Sequence, residues 1–382
     1  MQQFQYQATQ RYFAQLAEGF EEPATRELTA LGATQIEPAF RGLHFKADHA
    51  TLYRVNYQGR LVTRVLAPLL SFRCKDRDAL YREARGIDWS TLFSVDQTFG
   101  IFANVSGNPN LTHSKFAALC LKDAVADGFR RSCGRRPDVN REDPDIWLNL
   151  YIEKESATIS LDTSGGSLHR RGYRRESVEA PMQETLAAAV VAMSGWRGEK
   201  PLHDPMCGSG TLLCEALMHL CAIPAGYLRP KFGFSFLPDF DAGQWQRVKR
   251  AADDAIRPLP PGMIAGSDID AQAVKAARSN CRLLPGGQEI SLSQVDLNAL
   301  TDLENRVILC NPPYGIRMTQ ETALGDFYKE LGNFLKRRCK GSEAYIYFGK
   351  REMLKQIGLR PAWKRPMRNA GLDGRLAKFE MY

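Results

Sequence analysis

Two sequence motifs carry residues whose types and spacing suit group-transfer chemistry. The first reads Asp204-Pro-Met206-Cys-Gly208-Ser-Gly210-Thr211 and lies between a short apolar stretch and a helical pattern. Glycines at such a strand-to-helix turn let the backbone approach a ligand at the helix N-terminus. Leu213 replaces the third glycine of a dinucleotide fingerprint, and the Gly-Lys-Ser/Thr of a phosphate loop is missing. The motif favours a cationic adenosine ligand such as S-adenosylmethionine, with Asp204 facing its amino-acid part; a tight turn that binds nothing is the alternative.

Further carboxylates follow the next two predicted strands. Asp268 ends the stretch Ile264-Ala-Gly-Ser-Asp, and sheets of this class bind ribose hydroxyls at that place. Asp270 is either the N-cap of the following helix or a second contact to the ligand. Asp296 ends a third strand and could accept a hydrogen bond from an adenine amino group, although an aspartate at a strand end also suits ordinary turn chemistry.

The second motif, Asn311-Pro312-Pro313-Tyr314, follows the apolar run Val307-Ile-Leu-Cys310. Two prolines fix the backbone at the edge of the sheet where ligands of this fold bind. The Asn311 side chain and the Pro312 carbonyl could accept two hydrogen bonds from an exocyclic amine, while Tyr314 offers a face on which a flipped base would stack. We therefore expect this motif to serve the methylation of an amine nitrogen. The alternative is a proline-rich turn in which Asn311 and Tyr314 have only structural roles.

Composition and charge restrict the class of protein. The chain has 382 residues, 44% of them hydrophobic, and a net charge of +8, which fits a globular protein with a basic surface. Apolar stretches are too short or too charged to span a bilayer, and we expect a cytoplasmic protein. Nine scattered cysteines and six histidines lack the spacing of a disulfide framework or a metal site, so we expect free thiols and no metal.

Basic residues are concentrated in three places, and such segregation is typical of phosphate-backbone binding, with an ordinary solvated surface as the alternative. One is the C-terminal segment from Leu335 to Tyr382. The candidate RNA-binding arginines form the other two clusters: Arg130, Arg131, Arg135 and Arg136, then Arg170, Arg171 and Arg174.

The pattern of strands and helices changes along the chain. The first 66 residues predict a small α/β unit, with a helix from Glu21 to Leu31 and a second one capped by Asp48. A second mixed unit follows to about Asp162, and beyond Gly165 strands alternate with helices, as in a doubly wound parallel sheet. The alternating residues Arg375 to Tyr382 predict an antiparallel pair at one sheet edge.

The two motifs together resemble the S-adenosylmethionine-dependent amino-methyltransferases. The segments His169-Arg-Arg-Gly-Tyr-Arg174 and Glu184-Thr-Leu-Ala-Ala-Ala189 narrow the resemblance to THUMP-containing RNA methyltransferases, above all bacterial 23S rRNA guanine-N2 methyltransferases of the RlmL type. It implies a ferredoxin-like domain (residues 1–66), a THUMP domain (67–165, with a profile that could begin near 43) and a Rossmann-like class I methyltransferase domain (166–382). It further implies methylation of guanine N2 in 23S rRNA or a large-subunit precursor, with S-adenosylmethionine as donor.

Three alternatives stay open at this point. A guanine-N2 methyltransferase acting on tRNA is the nearest, because THUMP domains also occur in tRNA enzymes. A non-catalytic RNA-binding factor for ribosome assembly would use the same front domains. The Asn-Pro-Pro-Tyr motif also occurs in enzymes that methylate adenine N6 in DNA or glutamine in proteins, but the two front domains argue against both.

Overall fold

The computed structural model describes residues 2–177, 181–301, 303–313, 321–369 and 372–382. Within these residues the chain forms two seven-stranded sheets, one before and one after the predicted change of pattern near Gly165. We refer to the two parts as the N-terminal half, which ends at Asp162, and the C-terminal half, which begins at Glu184. The residues between them are called the connector.

The N-terminal half is a mixed α/β structure. Its strands and helices are β1 (Arg11–Gln15), β2 (Thr34–Ala39), β3 (Gly42–Lys46), β4 (Arg64–Arg73), β5 (Phe99–Ser106), β6 (Ile146–Glu153), β7 (Ser156–Asp162), α1 (Gln5–Thr9), α2 (Glu21–Ala30), α3 (His49–Gln58), α4 (Arg77–Arg85) and α5 (Ser114–Cys133). The strand order is β2-β3-β1-β4-β7-β6-β5. The predicted N-cap is confirmed, since an Asp48 side-chain oxygen accepts a hydrogen bond from the Thr51 amide at 2.8 Å.

Strand β4 joins the two predicted front units into one sheet. Its first residues, 64–66, pair antiparallel with β1, and its residues 66–73 pair with β7. The domain limit placed at residue 66 therefore falls inside a continuous strand. The domain boundaries at residues 66 and 165 stay predictions. At residue 66 the backbone hydrogen bonds of the sheet continue without a break.

The C-terminal half is built around a mostly parallel sheet. Its elements are α6 (Glu184–Ser194), β8 (Leu202–Asp204), α7 (Thr211–Leu220), α8 (Ala242–Asp254), β9 (Ile264–Asp268), α9 (Ala271–Cys281), β10 (Ser291–Gln294), β11 (Val307–Cys310), α10 (Glu321–Arg338), β12 (Glu343–Phe348), β13 (Trp363–Asn369) and β14 (Leu372–Glu380). The strand order is β10-β9-β8-β11-β12-β14-β13, parallel from β10 to β12. The chain thus reverses its direction of winding between β8 and β11, which is where open α/β sheets form a ligand crevice.

The predicted antiparallel pair at the C-terminus is confirmed. Strand β14 pairs antiparallel with both β12 and β13, so β13 is the edge strand at this end of the sheet and β10 is the edge strand at the other. Alternation of buried and exposed residues in β14 reflects a strand with one covered face, whereas all four residues of β11 are buried.

Aromatic side chains hold the two halves together. The Pro- and aromatic-rich residues 223–261, which separate the two strands carrying Asp204 and Asp268, pack against α3. Tyr53 lies 4.7 Å from Phe234 between ring centroids, and Tyr57 lies 5.2 Å from Trp245. One continuous hydrophobic cluster therefore extends across both halves and holds the sheet that carries Asp204 and Asp268 against the N-terminal half.

Candidate active site

A cavity of about 920 Å³ opens at the carboxyl ends of β8, β9, β10 and β11. Its volume is that of an ordinary small-molecule site. The walls include nine residues that the sequence singled out: Asp204, Met206, Gly208, Thr211, Asp268, Asp296, Asn311, Pro312 and Pro313. The parallel strands bring together residues that are up to 109 positions apart in the sequence, from Asp204 to Pro313, as the predicted strand ends require.

The glycine-rich turn has two glycines in left-handed conformations with different tasks. Gly208 (φ 52°) lines the cavity, and its amide donates a hydrogen bond to a carboxylate oxygen of Asp268 at 2.9 Å. Gly210 (φ 82°) is not among the lining residues; a Cβ atom there would lie 3.1 Å from the Cβ of Ala277 on α9. Gly210 therefore permits close packing of α7 on α9, and its predicted contact with a ligand stays a prediction.

Asp204 is the most deeply buried carboxyl group of the cavity, with 1% of the residue exposed. One of its oxygens accepts a hydrogen bond from the Met206 amide at 3.1 Å. Burial raises the pKa of Asp204 to about 8, the Met206 amide opposes this shift, and the charge of Asp268 adds to it. A cationic partner placed beside this buried carboxyl group would stabilise its ionised form.

The other carboxylates of the cavity are partly engaged by backbone amides. Asp268 accepts hydrogen bonds from Gly208 and Asp270, and Asp296 accepts one from Asn298 at 2.7 Å. Asp270 caps α9 by accepting from the Gln272 amide at 2.8 Å, which confirms the N-cap reading. Sequence reasoning missed Ile269, which lines the cavity and is 64% exposed; an apolar residue between two strand-end aspartates was the available signal.

The Asn311-Pro312-Pro313 turn stands directly beyond β11, next to the end of β8. The Asn311 Oδ1 atom is buried and has no hydrogen-bond partner among the described residues. The hydroxyl of Tyr328, a fully buried residue of α10, donates to the Pro313 carbonyl at 3.3 Å and supports the turn from behind. Tyr314, the predicted stacking residue, lies outside the described residues.

The first arginine cluster is exposed at the C-terminal end of α5. Arg135 pairs with Asp96 at 2.6 Å, and both Arg130 and Arg136 approach Asp127, at 3.7 and 3.2 Å. These are surface ion pairs, which contribute little to stability and can exchange partners. The four residues Arg130, Arg131, Arg135 and Arg136 are therefore accessible to a phosphate backbone, and their binding of RNA stays a prediction.

The second cluster requires a correction. Arg170 is exposed, but Arg171 is 1% exposed and forms an ion pair with Glu215, with further hydrogen bonds to the backbone carbonyls of Leu168 and Arg60. Arg174 is also largely enclosed and donates to the Met182 carbonyl and the Thr211 hydroxyl. Arg171 is too deeply buried to reach RNA, and the guanidinium group of Arg174 is engaged in fastening the connector to the start of α7.

Removal of Arg171 should therefore act on stability. We expect Arg171→Ala to lower the free energy of unfolding by ~3 to 5 kcal/mol, because Glu215 would be left as a buried charge without its partner. The adjacent exposed position provides the control, since Arg170→Ala should change stability by less than ~0.5 kcal/mol. Urea unfolding of the two variants measures the difference, and equal stability would contradict the assignment of Arg171 as an internal anchor.

In the part of the chain that the structure describes, three or more His, Cys, Asp or Glu side chains nowhere group closely enough to hold a metal ion. All nine cysteines carry free thiols. No described helix combines the length and the apolar character needed to cross a bilayer.

Comparisons with known families match three consecutive parts of the chain. Residues 11–66 match the RlmL ferredoxin-like domain, residues 74–162 the THUMP domain, and residues 171–378 the RMKL-like methyltransferase domain. The predicted order of ferredoxin-like, THUMP and class I methyltransferase domains is thereby confirmed.

Individual relatives cover nearly the whole chain. A Synechocystis sp. protein named as a candidate RNA methyltransferase, slr0064, is 42% identical over 98% of this chain and 97% of its own length. The ribosomal RNA large subunit methyltransferase K/L of Syntrophotalea carbinolica is 36% identical over 97% of this chain, which spans only 53% of that enzyme. Among solved structures, the methyltransferase-like protein SMU.472, crystallised with SAH, superposes with a TM-score of 0.84 at 27% identity, covering 97% of this chain and 98% of that one.

The methyltransferase-domain match covers more than half of the chain, and the cavity lies within it. Identity above 30% over almost the full length supports the same assignment. The chain therefore belongs to the RMKL-like methyltransferase family, in its arrangement with an RlmL ferredoxin-like domain and a THUMP domain in front.

Proposed function

We propose that the protein is an S-adenosylmethionine-dependent RNA methyltransferase that methylates the exocyclic N2 amine of a guanine in large-subunit ribosomal RNA. One observation supports the part of this proposal that concerns the methyl-accepting amine. The buried Asn311 Oδ1 atom lacks a partner among the described residues, at the end of β11 beside the cavity. A buried acceptor without a donor costs free energy of ~1 to 3 kcal/mol, and an incoming amine would recover it.

The cavity fits the proposed donor. A cationic amino group would match the Asp204 carboxyl group, whose pKa is raised by burial and which would ionise more readily beside a positive charge. Asp268 and Asp296 stand at the ends of neighbouring strands with lone pairs available for hydroxyl and amino groups. Met206, Gly208 and Thr211 complete the wall at the N-terminus of α7. When bound, the donor supplies an electrophilic methyl group on a positively charged sulfur.

The chain's own residues would prepare the acceptor nitrogen. The lone pair of an exocyclic amine is delocalised into its ring, so the free amine is a poor nucleophile. Asn311 Oδ1 and the Pro312 carbonyl would each accept one amine hydrogen and so favour a tetrahedral nitrogen with a localised lone pair. The proline pair holds these acceptors rigidly, and Tyr314 would stack on the flipped base. A strong general base is unnecessary, because the methylated nitrogen is acidic enough to release its proton afterwards.

The choice of RNA as substrate is supported by the front domains and the relatives. The THUMP match spans α5, whose end presents the exposed arginine cluster. The Syntrophotalea relative is named as acting on large-subunit ribosomal RNA, although the present chain spans about half of that protein. A combined K/L name does not by itself specify the methylated atom, so guanine N2 is the part of the proposal that most needs a direct test.

The deciding experiment transfers labelled methyl groups from S-adenosylmethionine to unmodified large-subunit rRNA and to tRNA, followed by nucleoside analysis. N2-methylguanosine in rRNA alone is the expected result. The same nucleoside in tRNA alone would show that tRNA is the substrate instead. N6-methyladenosine would show that the target base is adenine and would contradict the proposal of guanine. Absence of transfer to either RNA would favour a non-catalytic role in ribosome assembly.

The arginine cluster at the end of α5 provides a further prediction. Replacing Arg130, Arg131, Arg135 and Arg136 with alanine should weaken RNA binding and flatten its dependence on salt, because each lost phosphate contact lowers the slope of log K against log[salt] by ~0.7 to 0.9. A matched variant removes four other exposed arginines and the same charge: Arg26, Arg41, Arg247 and Arg250. Fluorescence titrations at several salt concentrations would compare them. An identical slope for both variants would place the RNA site elsewhere.

A further inference from the structure

The backbone of the connector is fastened by one buried amide side chain. Asn280, in the last turn of α9, is fully buried. Its Nδ2 group donates to the Glu176 carbonyl at 2.8 Å and to the Ser209 carbonyl at 3.0 Å. Its Oδ1 atom accepts from the amides of Arg175 and Glu176, at 3.0 and 3.1 Å. Both donors and both lone pairs of the amide are thus in use.

The groups held in this way belong to the wall of the donor cavity. Glu176 and the following Ser177 line the cavity on the connector side, and Ser209 lines it within the glycine-rich turn. Asn280 is not itself among the lining residues. It therefore connects two cavity walls from behind, across separations of 104 and 71 residues in sequence.

The connector needs such an anchor because its described residues near 175 form neither helix nor strand. Backbone groups outside regular structure must find partners among side chains or water. Arg171 fixes the connector to the N-terminal half through the Arg60 carbonyl, and Arg174 fixes it to Thr211 at the start of α7. Asn280 adds the direct attachment to the glycine-rich turn itself.

We propose that Asn280 is a positioning residue for the donor site, which holds the connector wall and the glycine-rich turn in register so that the donor meets a preformed cavity. The inference rests on the proposed function only in taking this cavity as the donor site. A purely structural asparagine would stabilise the fold without affecting donor affinity. Asn280 should affect both, because its partners form the wall.

The test compares two buried asparagines. Asn280→Ala is expected to weaken binding of SAH by ~10-fold or more, as loss of several buried hydrogen bonds predicts, while turnover at saturating donor changes by less than ~3-fold. Asn56→Ala is the matched control. Asn56 is equally buried; its amide donates to the Leu52 carbonyl in the N-terminal half and to the hydroxyl of Thr163, the first residue of the connector. Its replacement should lower stability but leave SAH affinity within ~2-fold.

Calorimetric titration with SAH needs no RNA, so it separates this inference from the choice of substrate. If wild-type protein binds SAH and folded Asn280→Ala binds it equally well, the positioning role is wrong and the proposed function stands. If the wild type fails to bind SAH, the donor site and this inference both fall.

Hydrogen exchange keeps the inference testable should Asn280→Ala not fold. In the wild-type protein the Glu176 amide, which donates to Asn280, should exchange slowly and become still slower when SAH is bound. Exchange as fast as that of an unprotected amide, with or without SAH, would show that the connection does not form in solution and would overturn the proposal.

Discussion

Replacing Asn311 with alanine is expected to reduce turnover by ~10²- to 10³-fold, in the range found when one preorganised hydrogen-bonding group is removed from a reacting centre. Donor affinity should change by less than ~3-fold, because the donor contacts proposed above lie at the ends of β8 and β9, at Asp296 beyond β10 and around the start of α7, and do not include the Asn311 amide. Single-turnover methyl transfer gives the first quantity, and SAH titration gives the second.

A control for Asn311→Ala is available on α10. Asn333 is an exposed residue of α10, and Asn333→Ala makes the same chemical change away from the cavity. We expect both turnover and donor affinity to stay at the wild-type level. Equal losses of turnover and donor affinity in Asn311→Ala would show that Asn311 supports the cavity as a whole and not the acceptor amine.

The second large effect is expected at Asp204. Asp204→Asn should weaken donor binding by ~10- to 100-fold, because a buried carboxylate paired with a cation is replaced by a neutral amide. In the wild type, donor affinity should rise with pH between 6 and 7.5, since the carboxyl group, whose pKa burial raises to about 8, must ionise to pair with the donor. This range lies below the ~7.7 to 8.0 at which α-amino groups lose their charge. The Asn variant should show a nearly flat profile over the same range.

The same raised pKa predicts the effect of Asp204 on stability without donor. Between pH 4 and 8 the carboxyl group is ionised in the unfolded chain but protonated in the folded one, so the folded state binds more protons and stability falls as pH rises. The asparagine side chain of Asp204→Asn does not titrate, so the variant should not lose stability in this way as pH rises. Urea unfolding should therefore find the variant more stable than wild type at pH 8.5, by up to ~1.4 kcal/mol per unit of pKa shift, with a smaller difference at pH 5. A constant difference across this range would contradict the burial effect.

The strand ends of the methyltransferase sheet were predictable because short apolar runs followed by Asp or Asn have few alternatives. The positions of Asp204, Asp268 and Asn311 followed from that pattern together with the rule that parallel strands share a carboxyl edge. The stretches Ile264–Asp268 and Val307–Cys310 coincide with β9 and β11, whereas the predicted strand Arg375 to Tyr382 begins three residues after the start of β14.

Other features had no local signal. Arg170 and Arg171 are neighbours of the same type in a segment without periodicity, so the sequence cannot tell which guanidinium faces water and which faces Glu215. The role of Asn280 depends on backbone groups far away in sequence, and a single asparagine in a helix predicts none of them. The packing task of Gly210 likewise depends on Ala277 of another helix.

The sharing of β4 between the front domains has a practical consequence for dissecting this protein. A truncation after residue 66 would cut β4 near its start. Only residues 64–66 of β4 would then remain to pair with β1. The opposite fragment would lose the start of the strand that pairs with Asp162, and both pieces would expose unpaired edges prone to intermolecular association. Fragments intended to measure RNA binding by the THUMP domain should therefore begin before the ferredoxin-like part and retain the whole seven-stranded sheet, since the family boundary and the physical unit of folding differ here.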